Sequence, residues 1–414
     1  EIIMITKEQA REEAEKRNHI RLAKQLKLFI FQEESPGSAF FLPHGTIIYN
    51  ELINFISGEY KKRGYKEIKT PVIYNNSLWK TSGHWEHYKK DMFLTKVEDQ
   101  EYALKPMNCP ACMLIYQHEL HSYKELPLRY ADFGILHRNE LSGVLNGLFR
   151  LRYFVQDDAH IFLEENQIEE EVTKLLEFIS YVYNKVFNFE YRVELSTRPE
   201  KFLGEEKTWE KAEKALEKAL KNNKVHFSLN PGGGAFYGPK IDIHIKDSLG
   251  RSWQLPTVQL DFSMPSRFKL TYEGKDGKKH QPVVIHRAIL GSIERFIAVL
   301  IEHYGGKFPL WLAPIQVIIL TVSEKNEAFA KKVYEELKEK GIRTQLDDRA
   351  ESIGKKVREA QLMKINYMIT IGDKEEQNKT LAIRTLDGKV QFNVKREEFI
   401  EERLLEIKNK GTKC

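Results

Sequence analysis

The stretch that most constrains the fold of this chain is residues 127–160, where two strand-like runs flank a polar turn. The first run, 128–136, alternates enough to be a strand and ends in the charged tetrapeptide His-Arg-Asn-Glu at 137–140. The second run, 148–155, leads into Gln-Asp-Asp-Ala-His at 156–160. Strand-like runs on both sides of a Gly-, Ser- and Asn-containing turn predict a long hairpin with charged side chains on both arms.

The charged residues of this hairpin suit a phosphate-bearing ligand. Arg138, Arg150 and Arg152 can face one polyanion, because a guanidinium fork matches phosphate oxygens and stays protonated. Glu140 does not belong in a simple anion site and suits recognition of an amine-bearing base. A sheet with a charged solvent face explains the same residues, and the hairpin alone does not decide between the two interpretations.

The composition indicates a chain of several domains without a membrane segment. Its 414 residues allow two or three domains, and 41% are hydrophobic, enough for packed cores. No run approaches the roughly 18 apolar residues of a membrane span, so we expect a cytoplasmic protein. The 65 basic and 60 acidic residues permit a nucleic-acid partner without indicating one. Cys109, Cys112 and Cys414 are too few for a disulfide scaffold.

The spacing of apolar residues gives a coarse map of the elements. It predicts helices at 7–28, 46–63, 166–187, 205–222 and from 288 onward, and strands at 240–246, 251–255, 258–262 and 283–285. Beyond residue 313, strands and helices alternate, which predicts a separate α/β domain of about 100 residues. Arg295 is a lone cation on an apolar predicted helix. A buried arginine must be paired or must contact a ligand, so it is a functional candidate.

Two stretches contain residues of metal-binding type. His84 and His87 fall in a segment, 82–88, that we expect to be a loop, which argues against a helical His-x-x-His site. A predicted helix at 107–121 carries Cys109, Cys112, His118 and His121, a spacing that is short for a zinc finger. The Cys-x-x-Cys pair within it also fits a redox motif. Local spacing leaves these interpretations open.

The hairpin resembles motif 2 of the class II aminoacyl-tRNA synthetases, in the form found in the threonyl-tRNA synthetase family. Residues 46–71 resemble motif 1, which forms much of the dimer interface in that class, and residues 286–304 resemble motif 3. Other stretches similar to the family follow in the same order along the chain: Lys105–Pro110, Leu195–Lys201, Gly234–Lys240, Thr257–Phe262 and His286–Ser292. The resemblance extends from about residue 30 to the C-terminus.

The resemblance implies an α+β fold. A leading linker helix at 1–30 would precede a class II catalytic domain at 31–308, an antiparallel sheet flanked by helices. A smaller α/β anticodon-binding domain would follow at 313–414. The N-terminal editing domain of related full-length enzymes has no counterpart, so we expect either a trimmed chain or removal of serine errors elsewhere.

The resemblance also implies a reaction, in which a homodimer activates L-threonine with ATP and Mg²⁺ and transfers it to the 3′ end of threonine tRNA. A carboxylate nucleophile needs no general base, so catalysis rests on positioning and charge stabilisation. The implied catalytic residues are Arg138, Arg295, His84 and Lys240. The implied ATP-binding residues are Arg138, Glu140, Arg150, Phe154, Gln254, Ser292 and Arg295. The implied substrate-binding residues are Gln156, Asp158, Tyr237, Gln259 and Met107, and the implied anticodon-binding residues are Glu375 and Arg384.

One zinc ion is implied as well, held by Cys109, His160 and His286 from three distant segments. Three protein ligands leave positions for the amino and hydroxyl groups of threonine. Alternatives are a sister class II enzyme for proline or serine, a catalytically silent paralogue that binds tRNA, and a zinc hydrolase. The hydrolase is disfavoured because the chain has no His-Glu-x-x-His motif.

Overall fold

The structure, a computed structural model, describes residues 7–410; Cys414 lies outside the described residues. The chain divides into two compact units. One comprises residues 31–39 and 54–296, and the other comprises the described parts of 1–30, 40–53 and 297–414. Within 7–410, no helix is both long and apolar enough to cross a bilayer.

The strands and helices are numbered here in chain order. The strands are β1 Phe29–Phe31, β2 Ala39–Phe41, β3 Lys66–Glu67, β4 Ile73–Asn75, β5 Leu94–Val97, β6 Gln100–Leu104, β7 His121–Ser122, β8 Leu128–His137, β9 Tyr153–Leu163, β10 Glu190–Ser196, β11 Phe227–Asn230, β12 Lys240–Lys246, β13 Ser252–Asp261, β14 Tyr272–Glu273, β15 Lys279–His280, β16 Val283–Ser292, β17 Val317–Thr321, β18 Thr344–Asp347, β19 Tyr367–Ile371, β20 Thr380–Thr385 and β21 Val390–Lys395. The α-helices are α1 Lys7–Lys16, α2 His19–Leu26, α3 Pro43–Lys62, α4 Asn76–Ser82, α5 His84–His87, α6 Cys109–Gln117, α7 Ile168–Ser180, α8 Glu206–Asn222, α9 Ser263–Arg267, α10 Ile293–Tyr304, α11 Glu327–Glu339, α12 Ile353–Leu362, α13 Asp373–Asn378 and α14 Arg396–Asn409.

The first unit is built on an eight-stranded sheet in the order β11-β10-β12-β13-β16-β9-β8-β3. The six strands from β10 to β8 pair antiparallel, and parallel partners join only at the two edges. An apolar cluster that includes Trp79, Met113, Phe162 and Met264 packs helices α4, α6 and α9 together with β9. The predicted class II sheet flanked by helices is therefore confirmed.

The register of this sheet aligns polar residues that are far apart in sequence. Across neighbouring strands, His160 pairs with His286, His286 with Gln259, and Gln259 with Lys240. Directly paired residues in an antiparallel sheet project from the same face. One row therefore crosses four strands with its side chains on one face.

The second unit contains a five-stranded sheet in the order β18-β17-β19-β20-β21, which mixes parallel and antiparallel pairs. Its core is made by β17, β19 and β20 with α11 and α14, through residues such as Ile319, Val333, Ile369, Ile383 and Phe399. The predicted smaller α/β fold is confirmed.

Several sequence-based boundaries were wrong for local reasons. The predicted helix at 7–28 is two helices, because the Asn18 side chain accepts hydrogen bonds from the backbone of residues 20 and 21 and starts α2. The predicted loop at 82–88 contains the short helix α5, separated from α4 by Gly83 with a φ of 82°. The helix predicted at 166–187 continues as a π-helix after residue 180. Helix α13 was not predicted.

Two further corrections bear on the site. The second arm of the hairpin begins at Tyr153 and not at Leu148, and it continues to Leu163. The helix predicted from residue 288 begins at Ile293, because β16 continues as a strand through Ser292. Gly291 and Ser292 therefore lie in a strand, with a φ of 79° at the glycine.

Candidate active site

An open cleft of about 360 Å³ lies on the eight-stranded sheet, between the motif-2-like hairpin and the start of α10. Four cationic side chains line it, against one carboxylate, Glu140. Ten of the predicted site residues line this cleft: Arg138, Glu140, Arg150, Phe154, Gln156, Lys240, Gln254, Gln259, Ser292 and Arg295. The excess of positive charge suits a ligand that carries several negative charges.

The tip of the hairpin carries an ion pair at the rim of the cleft. Arg150 donates to the Glu140 carboxylate over 2.9 Å. Arg152 donates to the backbone carbonyl of Glu140 at 2.9 Å and to Ser142 Oγ at 3.1 Å. These contacts fix the loop that carries Glu140, so Arg152 supports the site without lining the cleft.

Arg138 and Arg295 carry positive charge deeper in the cleft. The Arg138 guanidinium lies 5.0 Å from the centroid of the Phe154 ring and donates to the Pro106 carbonyl at 3.3 Å. Arg295 donates to the Phe149 carbonyl at 2.9 Å. Burial and the nearby charges of Arg138 and Arg150 lower the pKa of Arg295. A bound polyanion would offset the electrostatic repulsion between these arginines.

Asp242 joins several cleft residues and was missed by the sequence reasoning. Its buried carboxylate lies 2.9 Å from Lys240 Nζ and accepts from Gln254 Nε2 at 2.6 Å and from Thr257 Oγ1 at 3.2 Å. Ser196 donates to it at 2.7 Å. The available signal was a lone carboxylate at an inward position of the apolar strand β12.

A buried group of donors suited to a metal ion lies beside this cleft. The ligand atoms of Cys109, His160 and His286 all lie within 4.8 Å of one another. They come from the start of α6, from β9 and from β16, so three distant segments meet as the resemblance implied. His286 Nδ1 is 3.2 Å from Cys109 Sγ, and His286 Nε2 is 2.8 Å from Asp261 Oδ2. A thiol and two imidazoles are donors that zinc prefers.

The four metal-type residues around α6, Cys109, Cys112, His118 and His121, do not converge on one point in the structure. His118 is exposed, and His121 Nε2 is bound to the Tyr116 carbonyl at 2.9 Å. Cys112 is fully buried, and burial raises the pKa of its thiol. The compact four-residue zinc module is therefore wrong, and Cys112 lies in the apolar cluster of the first unit.

Two of the residues predicted to bind the amino acid, Tyr237 and Gln259, lie next to His286. Tyr237 OH donates to Gln259 Oε1 at 2.5 Å, and its ring centroid lies 5.0 Å from that of His286. Asp158 accepts from Asn108 Nδ2 at 2.7 Å. Gln259 lines the cleft and pairs with His286, so the donor group adjoins the cationic cleft.

His84, one of the implied catalytic residues, lies in the interior of the first unit. Its side chain is fully buried, with Nδ1 2.8 Å from Ser82 Oγ and Nε2 3.1 Å from Met107 Sδ. Burial, reinforced by the charges of His286 and Arg138, lowers the pKa of His84 to about 3. The ordinary histidine pKa does not apply to this side chain, because that reference value belongs to a solvated ring.

The predicted anticodon residues lie in the five-stranded unit. Glu375, on α13, accepts from the Gly372 backbone at 3.0 Å, and Arg384 is on β20 beside the edge strand β21. The Arg384 guanidinium contacts only the Gly388 carbonyl, at 3.5 Å, among the hydrogen bonds within the described residues. This geometry leaves Arg384 available to a ligand.

Comparison with known proteins places both units in one family. Residues 92–304 match the tRNA synthetase class II core domain (G, H, P, S and T), and residues 316–406 match the anticodon binding domain. The crystal structure of the RNA binding domain of threonyl-tRNA synthetase from Cryptosporidium parvum superposes with a TM-score of 0.91 at 46% identity. That match covers 96% of this chain and 99% of the other. The chain belongs to the threonyl-tRNA synthetase family.

Other relatives agree with membership of the threonyl-tRNA synthetase family. The threonine–tRNA ligase of Carboxydothermus hydrogenoformans is 51% identical over 403 residues, covering 96% of this chain and 63% of that protein. The one of Caldanaerobacter subterraneus is 53% identical over 400 residues, covering 97% and 62%. The putative threonyl-tRNA synthetase ThrRS-1 of Aeropyrum pernix has a TM-score of 0.83 at 30% identity. The chain thus spans less than two thirds of the length of its curated relatives.

Proposed function

We propose that this chain is a threonine–tRNA ligase, which activates L-threonine with ATP and transfers it to the 3′ end of threonine tRNA. The observation that carries the proposal is the position of the Cys109, His160 and His286 donors beside a cleft lined by arginines. The metal-type donors suit an amino acid with a hydroxyl group, and the arginine-lined cleft suits a triphosphate. We further propose residues 31–308 as the catalytic domain and 313–414 as the anticodon-binding domain.

The cleft supports an assignment of ATP contacts. Arg138 would hold the α-phosphate and the threonine carboxylate, and Arg150 would hold the γ-phosphate. Mg²⁺ would accompany the ATP and neutralise part of its charge. Glu140 would accept from the adenine amine. Phe154 and Arg295 would lie on the two faces of the adenine ring, in a stacking and cation–π arrangement. Lys240, Gln254 and Ser292 would complete the ATP and catalytic contacts. An ion pair holds Lys240 and a hydrogen bond holds Gln254 on Asp242.

The donor group fits zinc, and zinc would define the amino-acid site. Cys109, His160 and His286 would hold the ion, which when bound offers open positions to the amino and hydroxyl groups of threonine. Asp158, Gln156 and Gln259 would orient the substrate, with Tyr237 and Met107 against it. Valine lacks the hydroxyl and should be rejected by a factor of roughly 10⁴ or more. Serine lacks only a methyl group, worth about 1–3 kcal/mol, and should be rejected weakly.

The transfer step and the quaternary state are proposed on the family resemblance. His84, neutral at physiological pH, would lie near the terminal ribose of the tRNA during transfer. Glu375 and Arg384 would contact anticodon bases. We expect a cytoplasmic homodimer that uses the segment at 46–71 as an interface, which light scattering of the purified chain would test.

Amino-acid-dependent ATP–pyrophosphate exchange tests the proposal directly. We expect strong exchange with threonine, weaker exchange with serine, none with valine or proline, and loss of exchange on zinc chelation. Cys109→Ser should lose both bound zinc and exchange, because a ligand is removed. Cys112→Ser is the matched control: it alters a buried thiol on the same helix and should keep both.

The controls separate the possible failures. Exchange that survives Cys109→Ser and chelation would refute the metal assignment and leave the ligase reaction standing. Zinc binding without exchange for any amino acid would refute the ligase and favour a silent paralogue that binds tRNA.

A further inference from the structure

Asp261 is a buried carboxylate next to the candidate metal donors that has no assigned role. It is the last residue of β13 and is completely buried. In the sheet it pairs with Val284, two residues before His286 on β16. A diagonal neighbour on the same face of a sheet is within side-chain reach, which explains the 2.8 Å contact of Asp261 Oδ2 with His286 Nε2.

Both oxygens of this carboxylate are committed. Oδ1 accepts from the backbone N–H groups of Ser263 at 2.7 Å and Met264 at 2.9 Å, and Oδ2 faces His286. The two backbone bonds fix the plane of the carboxylate. An ionised carboxylate only accepts hydrogen bonds, so the imidazole nitrogen that faces it must carry a proton.

That requirement determines which nitrogen of His286 is available to a metal. With the proton on Nε2, the lone pair of the neutral ring is on Nδ1, the atom that lies 3.2 Å from Cys109 Sγ. The opposite tautomer would direct an N–H towards the metal position and a lone pair towards the carboxylate. Asp261 thus selects the state of His286 that can act as a ligand.

We propose that Asp261 is the positioning residue of the metal site: it holds His286 in the Nε2–H form, so that Nδ1 is the ligand atom. The inference rests on the proposed zinc site. It predicts that the carboxylate of Asp261, and not merely its bulk, is needed for tight metal binding.

The test compares zinc affinity in the full chain and in Asp261→Asn, measured by competition with a chromophoric chelator at constant pH. The amide keeps the size of the side chain but has only one oxygen. If that oxygen keeps accepting from the backbone N–H groups of Ser263 and Met264, the amide NH₂ group faces His286. It then favours the tautomer with the proton on Nδ1, which cannot bind the metal through Nδ1. We expect zinc affinity to fall about 10- to 100-fold, the usual effect of removing such a partner.

Asp247→Asn is the matched control. Asp247 is also buried, and it also accepts from backbone N–H groups and from side chains, here Arg251 and Trp253, away from the donor group. Its substitution should leave zinc affinity unchanged. Circular dichroism of all three proteins verifies that they are folded. Equal affinity in Asp261→Asn and the unsubstituted chain would overturn the proposal, whereas an unsubstituted chain that binds no zinc would overturn the proposed zinc site itself.

A second measurement needs no substitution and remains decisive if Asp261→Asn does not fold. Nitrogen-15 shifts of the histidine-labelled, zinc-loaded chain report which ring nitrogen binds the metal. The proposal requires a histidine with Nδ1 on zinc and a proton on Nε2. If every zinc-bound histidine uses Nε2 as the ligand atom, the proposal is wrong.

Discussion

At the scale of single residues, a glycine in β8 provides the space for a side chain that contacts the proposed amino-acid site. A Cβ atom on Gly134 would lie 2.0 Å from Asn108 Oδ1 and 2.4 Å from Asn108 Nδ2. The same amide nitrogen donates to Asp158. Gly134 therefore allows Asn108 to orient the carboxylate that we assign to the substrate.

Gly134→Ala should force the Asn108 amide away from Asp158. Because a displacement of about 1 Å in a positioning group can cost up to about 100-fold in rate, we expect kcat/KM for threonine in pyrophosphate exchange to fall about 10- to 100-fold. Gly143→Ala is the control, because a Cβ there meets nothing within 4 Å. Equal kcat/KM values for the two variants would show that the Asn108–Asp158 contact does not contribute to the reaction.

A second prediction at this scale concerns pH and His84. Its pKa is lowered to about 3 in the folded state by burial, against an ordinary 6.5 when unfolded. The unfolded state therefore binds the proton first, so stability is lost as the pH falls below 6.5. Between pH 7 and pH 5 this linkage removes about 2 kcal/mol from the free energy of unfolding.

Urea unfolding at the two pH values measures this loss. The difference in the free energy of unfolding between the unsubstituted chain and His84→Asn should be about 2 kcal/mol smaller at pH 5 than at pH 7. The reason is that asparagine takes up no proton in this range. His118→Asn removes an exposed histidine and should show no such narrowing. If the difference in the free energy of unfolding between the unsubstituted chain and His84→Asn is the same at both pH values, the pKa of His84 is not lowered by burial.

At the scale of elements, the end of β16 is held by a buried ion pair. Pairing with β9 is interrupted between Ala288 and Ser292. There the Asp157 carboxylate accepts from the backbone N–H groups of Ile289 at 2.9 Å and Leu290 at 3.0 Å. Arg287 lies 3.9 Å from that carboxylate. These contacts fix the segment that presents Ser292 and Arg295 to the cleft.

Asp157→Ala removes the acceptor of both backbone groups and leaves the Arg287 guanidinium without its counter-charge. Breaking a buried pair in this way costs about 3–5 kcal/mol, which chemical denaturation would measure. We also expect a higher KM for ATP, since Ser292 and Arg295 follow the bulge. Asp99→Ala removes one partner of an exposed pair with Lys96 and should cost no more than about 1 kcal/mol.

At the scale of the whole molecule, the proposed reaction is divided between two sheets. The cleft residues belong to the eight-stranded sheet and the start of α10, whereas Glu375 and Arg384 belong to the five-stranded unit. Under the proposed function, activation of threonine would need only the first set, and recognition of tRNA would need the second as well. Substitutions in the second unit should therefore separate the two half-reactions.

Arg384→Ala should weaken tRNA aminoacylation by the equivalent of about 1–3 kcal/mol, the usual cost of a base-contacting arginine. Pyrophosphate exchange should be unchanged, because no tRNA takes part in it. Lys338→Ala, which removes an exposed cation of α11, controls for a general loss of charge. Loss of pyrophosphate exchange in Arg384→Ala, or tRNA aminoacylation as strong as that of the unsubstituted chain, would refute the anticodon assignment.

Much of the fold could be predicted from the sequence because its signals are local. Strand β12 was predicted with the bounds that the structure has, since a run of alternating apolar residues depends only on neighbouring positions. The error at the start of α10 has a different cause. There, the backbone N–H groups of Ile289 and Leu290 donate to Asp157, a residue distant in sequence, and these bonds set the boundary at the end of β16.

The sequence by itself determined the kinds of group available: arginines for phosphate, and cysteine and histidines for a metal. Only the tertiary structure decided which of them meet. Cys112 and Cys109 are three residues apart on α6. The sheet register pairs His160 with His286, and the packing of α6 brings Cys109 to them and leaves Cys112 in an apolar cluster. The contacts of Asp242 and Asp261 likewise depend on strand pairing, because spacing along a chain does not specify which strands become neighbours.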